Sequence, residues 1–339
     1  MARTQRLYPQ PARGWRRVSL ALLACGALFL PSDRSRASLP APAPAQQSVP
    51  ESQRPLRVQV QLVNLFVTAR DNKKRIVPDL KQEDFRVRED GQEQKVEYFS
   101  REVALPVTLG MLLDTSGSEE HMLGAIQQAA SRFLRHTLRK GDLAMVISFD
   151  MDVNLLADFT QDVEQLEDAI RRARIHAPRP PPTVQGPFPQ LPQGTSFYDA
   201  VYLACMEKLR PEAGRKALVI LTDATDYGSK VRLEQAVEAA QRTDTVVHIL
   251  LVYDPRYGAD TAVARKFAEE TGGRVISVRS EKKLEEAFAQ IAEELRTQYT
   301  LGYYPTHRAR DGKFRRIQVE VARKGINVLA RKGYYAPKD

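Results

Sequence analysis

The sequence predicts an α/β fold: a doubly wound, mainly parallel sheet, with a small β-module assembled from the chain on either side of it. Three observations carry this reading. Short apolar runs alternate with amphipathic helical patterns from about residue 105 to 297. Those runs are continuous, as in strands buried on both faces. The flanking stretches, 56–103 and 298–336, change to period-two alternation broken by Gly-containing turns.

The chain of 339 residues opens on a targeting pattern. Arg16 and Arg17 precede an apolar run, Val18 to Leu30. At about 13 residues it is too short for a stable bilayer-spanning helix and suits the h-region of a signal peptide. Ser35-Arg36-Ala37 and Ala43-Pro44-Ala45 offer small-residue cleavage patterns; an uncleaved N-terminal anchor is the alternative. Arg16-Arg17 is a weak twin-arginine match, and Leu22-Leu23-Ala24-Cys25 a faint lipoprotein one. Residues 1–45 are read as signal peptide and leader, and 46–55 as a Pro-rich, Gln-containing linker without apolar period. The mature chain is therefore expected to be exported, periplasmic or secreted, with no stable transmembrane span.

The same segment explains the charge. Seven arginines against Asp33 put +6 of the formal +9 into the first 37 residues. The remainder is too nearly balanced to argue for nucleic-acid binding, which needs a basic face on the folded domain. Of two cysteines, signal cleavage would leave only Cys205, so no internal disulfide is expected. Cys205 shares helical spacing with Val201 and Leu209 and reads as a small core residue.

In the first flank, Val58, Val60 and Leu62 alternate with polar residues, and Val63, Leu65 and Val67 continue in the opposite phase, as a bulge would cause. Asp71-Asn72 makes a turn. Phe85 and Val87 lead to Asp90-Gly91, a hairpin signal, after which Val96 and Tyr98 return. The α/β region, 104–297, has strand patterns at Val107–Leu113, Leu143–Phe149, Ala217–Leu221, Val246–Val252 and Val275–Val278. Helical patterns lie between and after them at Met122–Leu138, Val163–Ile175, Phe197–Leu209, Val231–Gln241, Thr261–Glu270 and Lys282–Leu295. In the last flank, 298–339, Tyr299, Leu301 and Tyr303 alternate, Asp311-Gly312 turns, and Ile317, Val319 and Val321 alternate again. Lys324-Gly325 then introduces a short strand, Ile326–Ala330. The two flanks, 56–103 and 298–336, are expected to pair with each other.

The chemistry concentrates at strand ends. Leu112-Leu113-Asp114-Thr115-Ser116-Gly117-Ser118 places an acid and two hydroxyls at alternate positions just past a buried strand. Ligands of doubly wound sheets bind at the carboxyl ends of the strands. Asp223 ends another strand, and Thr195 lies in Gly194-Thr195-Ser196 just before a helix, so both would reach the same edge. An oxygen-only donor set suits a hard divalent cation: Mg²⁺, with Mn²⁺ or Ca²⁺ as alternatives. Three hydroxyls and only two carboxylates would leave such a cation short of charge and coordination, so a partner's Asp or Glu could complete it.

Asp114-x-Ser116-x-Ser118, then Thr195, then Asp223 resembles the metal-ion-dependent adhesion site of von Willebrand factor type A domains, a Rossmann-like family. The resemblance covers roughly 105–297, and Gly194 to Ala200 is similar to the family's loop-to-helix transition. It implies that Ser116, Ser118 and Thr195 coordinate through their hydroxyls. It implies that Asp114 and Asp223 hold the metal directly or through water. The β-flanks resemble those of bacterial exported proteins related to this family. One departure is Ala224, where many members have Gly after the late aspartate; if that position needs positive φ, Ala strains it.

Plainer readings stand beside these. Asp-x-Ser-x-Ser can be a helix N-cap. Asp226 reads as a loop acid or cap and Asp199 as a local cap or an outer-shell group. His121 reads as a surface residue, and His248, inside an apolar strand, as a satisfied core residue. The segment 178–192, Pro-rich and next to Thr195, is either a surface insertion or a partner-contacting loop with Phe188 and Leu191 as apolar contacts.

The function expected is a non-enzymatic binding or adhesion module acting on a protein partner. Gly-x-Ser-x-Gly, Gly-x-Gly-x-x-Gly and phosphate-loop signatures are absent. Alternatives are a structural envelope protein whose metal stabilises the fold, and a metal-dependent hydrolase.

Overall fold

The computed structural model describes residues 62–101, 105–175, 194–253 and 258–338. The expected signal peptide, leader and linker, together with Val58, Val60, Phe188 and Leu191, lie outside them. In the first flank, β1 (Val63–Asp71) buries Val63, Leu65, Val67 and Ala69 on one face. β2 (Phe85–Glu89) and β3 (Gln92–Gln94) pair through Asp90-Gly91, both residues with positive φ as a two-residue hairpin loop requires. β4 (Val96–Ser100) does not continue that hairpin; it crosses to another sheet and pairs with a strand of the last flank.

The α/β region runs β5 (Val107–Asp114), α1 (Leu123–Thr137), β6 (Leu143–Phe149), β7 (Val153–Thr160), α2 (Val163–Arg172) and α3 (Phe197–Leu203). It continues with β8 (Arg215–Thr222), α4 (Leu233–Arg242), β9 (Thr245–Val252), α5 (Thr261–Thr271), β10 (Val275–Val278) and α6 (Glu281–Thr297). α3 runs on as a π-helical stretch, Ala204–Leu209, which carries the fully buried Cys205. The sheet order is β10-β9-β8-β5-β6-β7, all parallel except β7. β7 is a half-exposed edge strand, so its apolar pattern is diluted and the sequence did not announce it. Every residue of β5 and β9 is buried, because helices cover both faces. α1, α2 and α6 share one core with Leu109, Met111, Val146 and Val219. α3, α4 and α5 share the other with Leu112, Ile147, Leu218 and Ile249.

The last flank supplies β11 (Tyr299–Tyr303), β12 (Phe314–Val321), β13 (Ile326–Leu329) and β14 (Gly333–Tyr335). The flanks interleave as expected: one sheet runs β13-β1-β11-β4, the other β14-β12-β2-β3, and both mix the two ends of the region. Their facing apolar residues, among them Leu65, Val87, Leu301 and Ile317, form a third core. Buried charge joins this β-module to the α/β layers. Glu294 of α6, fully buried, takes ion pairs from Arg70 of β1 and from Arg274, the latter at 2.6 Å. His248 of β9 faces the same cluster, and burial together with Arg274, Arg215 and Arg70 pushes its pKa down to about 3. It is a core residue, but neither ring nitrogen has a hydrogen-bond partner. Among the described residues no helix is long and apolar enough to cross a membrane.

Candidate metal centre at the carboxyl edge of the sheet

β5 sits between β6 and β8, and successive connections leave it in opposite directions, so the topological switch falls at its carboxyl end. That end is Asp114, which is buried. The chain then turns through Thr115; Ser116 caps a 3₁₀ turn, Gly117–Glu119, on which Ser118 lies. Asp114 Oδ1 accepts the Ser116 N–H at 2.9 Å, and the Ser116 and Ser118 hydroxyls lie 3.0 Å apart. The motif is therefore not an N-cap of α1, which starts at Leu123 behind Met122.

The neighbouring strand supplies Asp223. Thr222, the last residue of β8, donates its hydroxyl to Asp114 Oδ2 at 2.6 Å and accepts the Ala224 N–H at 3.0 Å. Ala224 has φ +62, so this position does demand the left-handed region. Asp223 Oδ1 accepts the Thr225 N–H at 2.9 Å and its hydroxyl at 2.5 Å. Asp114 and Asp223 carry like charge into one buried place. Burial first, and then the Asp223 charge, raise the Asp114 pKa to about 7.

Thr195 is held to the same edge from two sides. Ser196 N–H donates to Asp150 O at 2.6 Å and its hydroxyl to Met151 O at 2.9 Å, which ties this loop to the end of β6. Thr195 O accepts the Tyr227 N–H at 3.1 Å, which ties it to the loop after Asp223. Gly194 has φ +145 and lies under the Met151 side chain, where a Cβ would meet Met151 Cγ at 2.3 Å. Only glycine fits there. Thr115 donates to Asp150 Oδ2 at 3.0 Å and links the first loop to the end of β6.

Asp226 and Asp199 are caps. Asp226 accepts the Tyr198 N–H at the start of α3, and Asp199 accepts the N–H groups of Lys230 and Val231. Together they brace the loop after Asp223 against α3. His121 is exposed.

The donor chemistry fits a hard divalent cation. Asp114, Asp223 and Thr195 are buried while Ser116 and Ser118 are half-exposed, so the acids lie on the interior side and the serine hydroxyls toward solvent. Among the described residues, no three His, Cys, Asp or Glu side chains gather closely enough to hold an ion by themselves. Hydroxyls are needed to complete any such site here.

Sequence reasoning missed four residues at this edge. Thr222 orients Asp114. Glu119, directly after Ser118, is fully buried, and neither of its carboxylate oxygens has a hydrogen-bond partner. Met151 and Tyr227 flank the Thr195 loop and are the most exposed large apolar side chains among the described residues, at 59% and 74%. A strand-end position was the available signal for Thr222, and adjacency to Ser118 for Glu119.

One family model matches the α/β region. Residues 109–226 match the von Willebrand factor type A domain family. No curated relative matches the chain. Similar solved structures include BatB from Bacteroides thetaiotaomicron, 18% identical, with TM-score 0.44 over 56% of this chain and 98% of that one. Another is a von Willebrand factor type A protein from Catenulispora acidiphila, 14% identical, with TM-score 0.48 over 75% and 73%. A third is mussel byssus proximal thread matrix protein 1 with a zinc-occupied adhesion-site motif, 14% identical, with TM-score 0.47 over 61% and 49%.

Proposed function

Because this chain carries a von Willebrand factor type A domain, we propose that it is an exported, non-enzymatic binding protein whose divalent-cation site recognises a carboxylate on a protein partner. One observation carries the reading. Asp114, Ser116, Ser118, Thr195 and Asp223 come from three separate loops, and the hydrogen bonds Thr222–Asp114, Thr115–Asp150, Ser196–Asp150 and Tyr227–Thr195 tie those loops together at one sheet edge.

Asp114 and Asp223 supply the negative charge that holds a cation, and Thr222 keeps the Asp114 carboxylate aligned. Ser116, Ser118 and Thr195 offer neutral hydroxyls, which coordinate without cancelling further charge. Mg²⁺ is the cation favoured by this hard oxygen set, with Mn²⁺ or Ca²⁺ as substitutes. A cation held there would supply a Lewis acid for an Asp or Glu oxygen of a partner approaching from the solvent side. Met151 and Tyr227 border that side and give the partner apolar contact area around the charged one. Phe188 and Leu191 precede Thr195 closely in sequence and are proposed as further contacts.

Export rests on the N-terminal pattern Arg16 to Leu30.

The test is a metal-dependent pull-down from envelope extract or culture medium, with wild type and Asp114→Ala. The expected outcome is a partner retained by wild type in Mg²⁺ and lost with EDTA or with Asp114→Ala, the variant remaining folded by circular dichroism. Capture indifferent to both would contradict the proposal and favour a fold-stabilising metal. Metal-dependent turnover of phosphatase or protease substrates, abolished by Asp114→Ala, would contradict its non-enzymatic part.

A further inference from the structure

Glu119 is the unexplained group in this protein. Its side chain is fully buried, and both carboxylate oxygens lack a hydrogen-bond donor. Buried carboxylates otherwise cost several kcal/mol unless paired or hydrogen-bonded, so about this much destabilisation asks for a compensating partner. The other buried acids of the described residues have one. Glu89 accepts the hydroxyls of Tyr303 and Tyr334, Asp142 pairs with Arg296, and Glu294 pairs with Arg70 and Arg274.

The position of Glu119 says what the partner is. It ends the 3₁₀ turn that carries Ser118, and its N–H donates to Ser116 O at 3.1 Å. It directly follows Ser118 on the turn that leaves the Asp114 strand end, so its buried side chain enters the interior at the same end of the sheet. A buried carboxylate with no donor of its own, on the turn that carries Ser118, adds to the acids Asp114 and Asp223 of this sheet end, and a cation there balances its ionised form.

Resting on the cation-site reading above, we propose that Glu119 is a further acidic residue of that site, acting from its interior side as an outer-shell charge. The three acids do not close to direct shared ligation. Mg²⁺ keeps part of its water shell, and a carboxylate behind that shell raises affinity without occupying a coordination position. Glu119 is therefore a positioning residue: it strengthens cation retention while the solvent-side position stays open for a partner.

The experiment is Mn²⁺ titration of the full chain, read by the electron paramagnetic resonance of free Mn²⁺ and by melting temperature with and without Mn²⁺. The variants are Glu119→Gln, Glu119→Asp and, as an exposed control one residue away, Glu120→Gln. The expected result is a Kd raised ten- to a hundred-fold in Glu119→Gln, by analogy with outer-shell substitutions elsewhere. Its metal-induced rise in melting temperature should shrink, Glu119→Asp should recover part of the affinity, and Glu120→Gln should match wild type. An unchanged Kd in Glu119→Gln overturns the inference while leaving the five-residue site standing. If Glu119→Gln does not fold, Glu119→Asp decides: a Kd weakened several-fold supports the inference, and an unchanged one overturns it. Absence of Mn²⁺ binding by wild type overturns the cation-site reading itself, and the inference with it.

Discussion

The Thr222 hydroxyl donates to Asp114 Oδ2 at 2.6 Å and so couples the ends of β8 and β5, the two strands that carry the acids. The Thr222 hydroxyl oxygen also accepts the Ala224 N–H, so one side chain fixes both the Asp114 carboxylate and the turn after Asp223. Thr222→Val keeps the shape and removes both roles. An unsatisfied buried acceptor costs about 1–3 kcal/mol, and loss of an outer-shell orienting group about ten-fold or more in metal affinity. Chemical denaturation and Mn²⁺ titration should show both losses; a variant with wild-type Kd would mean that Asp114 is positioned without Thr222.

Cation binding should be linked to protons. In the metal-free protein Asp114 is held at about 7, above its ordinary 3.8, by burial and by Asp223. A raised carboxylate pKa means that the folded state binds the extra proton between those values. This group therefore adds stability to the metal-free fold as pH falls from 7 toward 4, and costs stability when ionised above 7. A bound cation requires the ionised form, so affinity should weaken below pH 7, and binding near pH 6 should release close to one proton. Calorimetry in buffers of differing ionisation enthalpy measures the release. Affinity unchanged between pH 5 and pH 8 would contradict it.

Partner contact and cation retention should separate at Met151 and Tyr227. Both side chains project from the loops that hold Thr195, and only their backbones take part in the loop hydrogen bonds. Replacing both with Ser should weaken metal-dependent capture by about ten-fold or more, as for aromatic interface anchors. The Mn²⁺ Kd should not move. Unimpaired capture would put the partner elsewhere on the surface.

The left-handed Ala224 invites the expectation that Gly would be better. Relief of the left-handed backbone is worth about 1–2 kcal/mol. Against it stand the loss of a fully buried methyl, about 0.8 kcal/mol, and the entropy of Gly in the unfolded chain, about 0.4–1 kcal/mol. The terms nearly cancel, so Ala224→Gly should leave stability within about 1 kcal/mol of wild type in a denaturant titration. A much larger gain would reveal strain held in this loop.

The parallel core was legible because β5, β8 and β9 are buried on both faces and so write uninterrupted apolar runs. β7 was not, because an edge strand half in water has no such signature. Pairing between flanks followed from two incomplete β-patterns that each needed a partner, yet the division of Gln92–Gln94 and Val96–Ser100 between two sheets depends on a crossing that no local pattern records. At the site, Asp114, Ser116, Ser118, Thr195 and Asp223 could be selected because oxygen-bearing side chains follow strand ends or precede a helix in an order that resembles the family's motif. Glu119 escaped because only three-dimensional burial distinguishes it from Glu120, its exposed neighbour. Met151 and Tyr227 escaped because exposure of an apolar residue is invisible until its surroundings are known.

The most direct measurement is the anomalous scattering of a crystal grown in Mn²⁺. The account expects one strong peak at the carboxyl end of β5, within about 2.0–2.3 Å of the Ser116 and Ser118 hydroxyls, with Asp114, Thr195 and Asp223 around it and Glu119 behind. A peak at any other place, or Asp114, Thr195 and Asp223 turned toward different surroundings in its absence, would contradict the account.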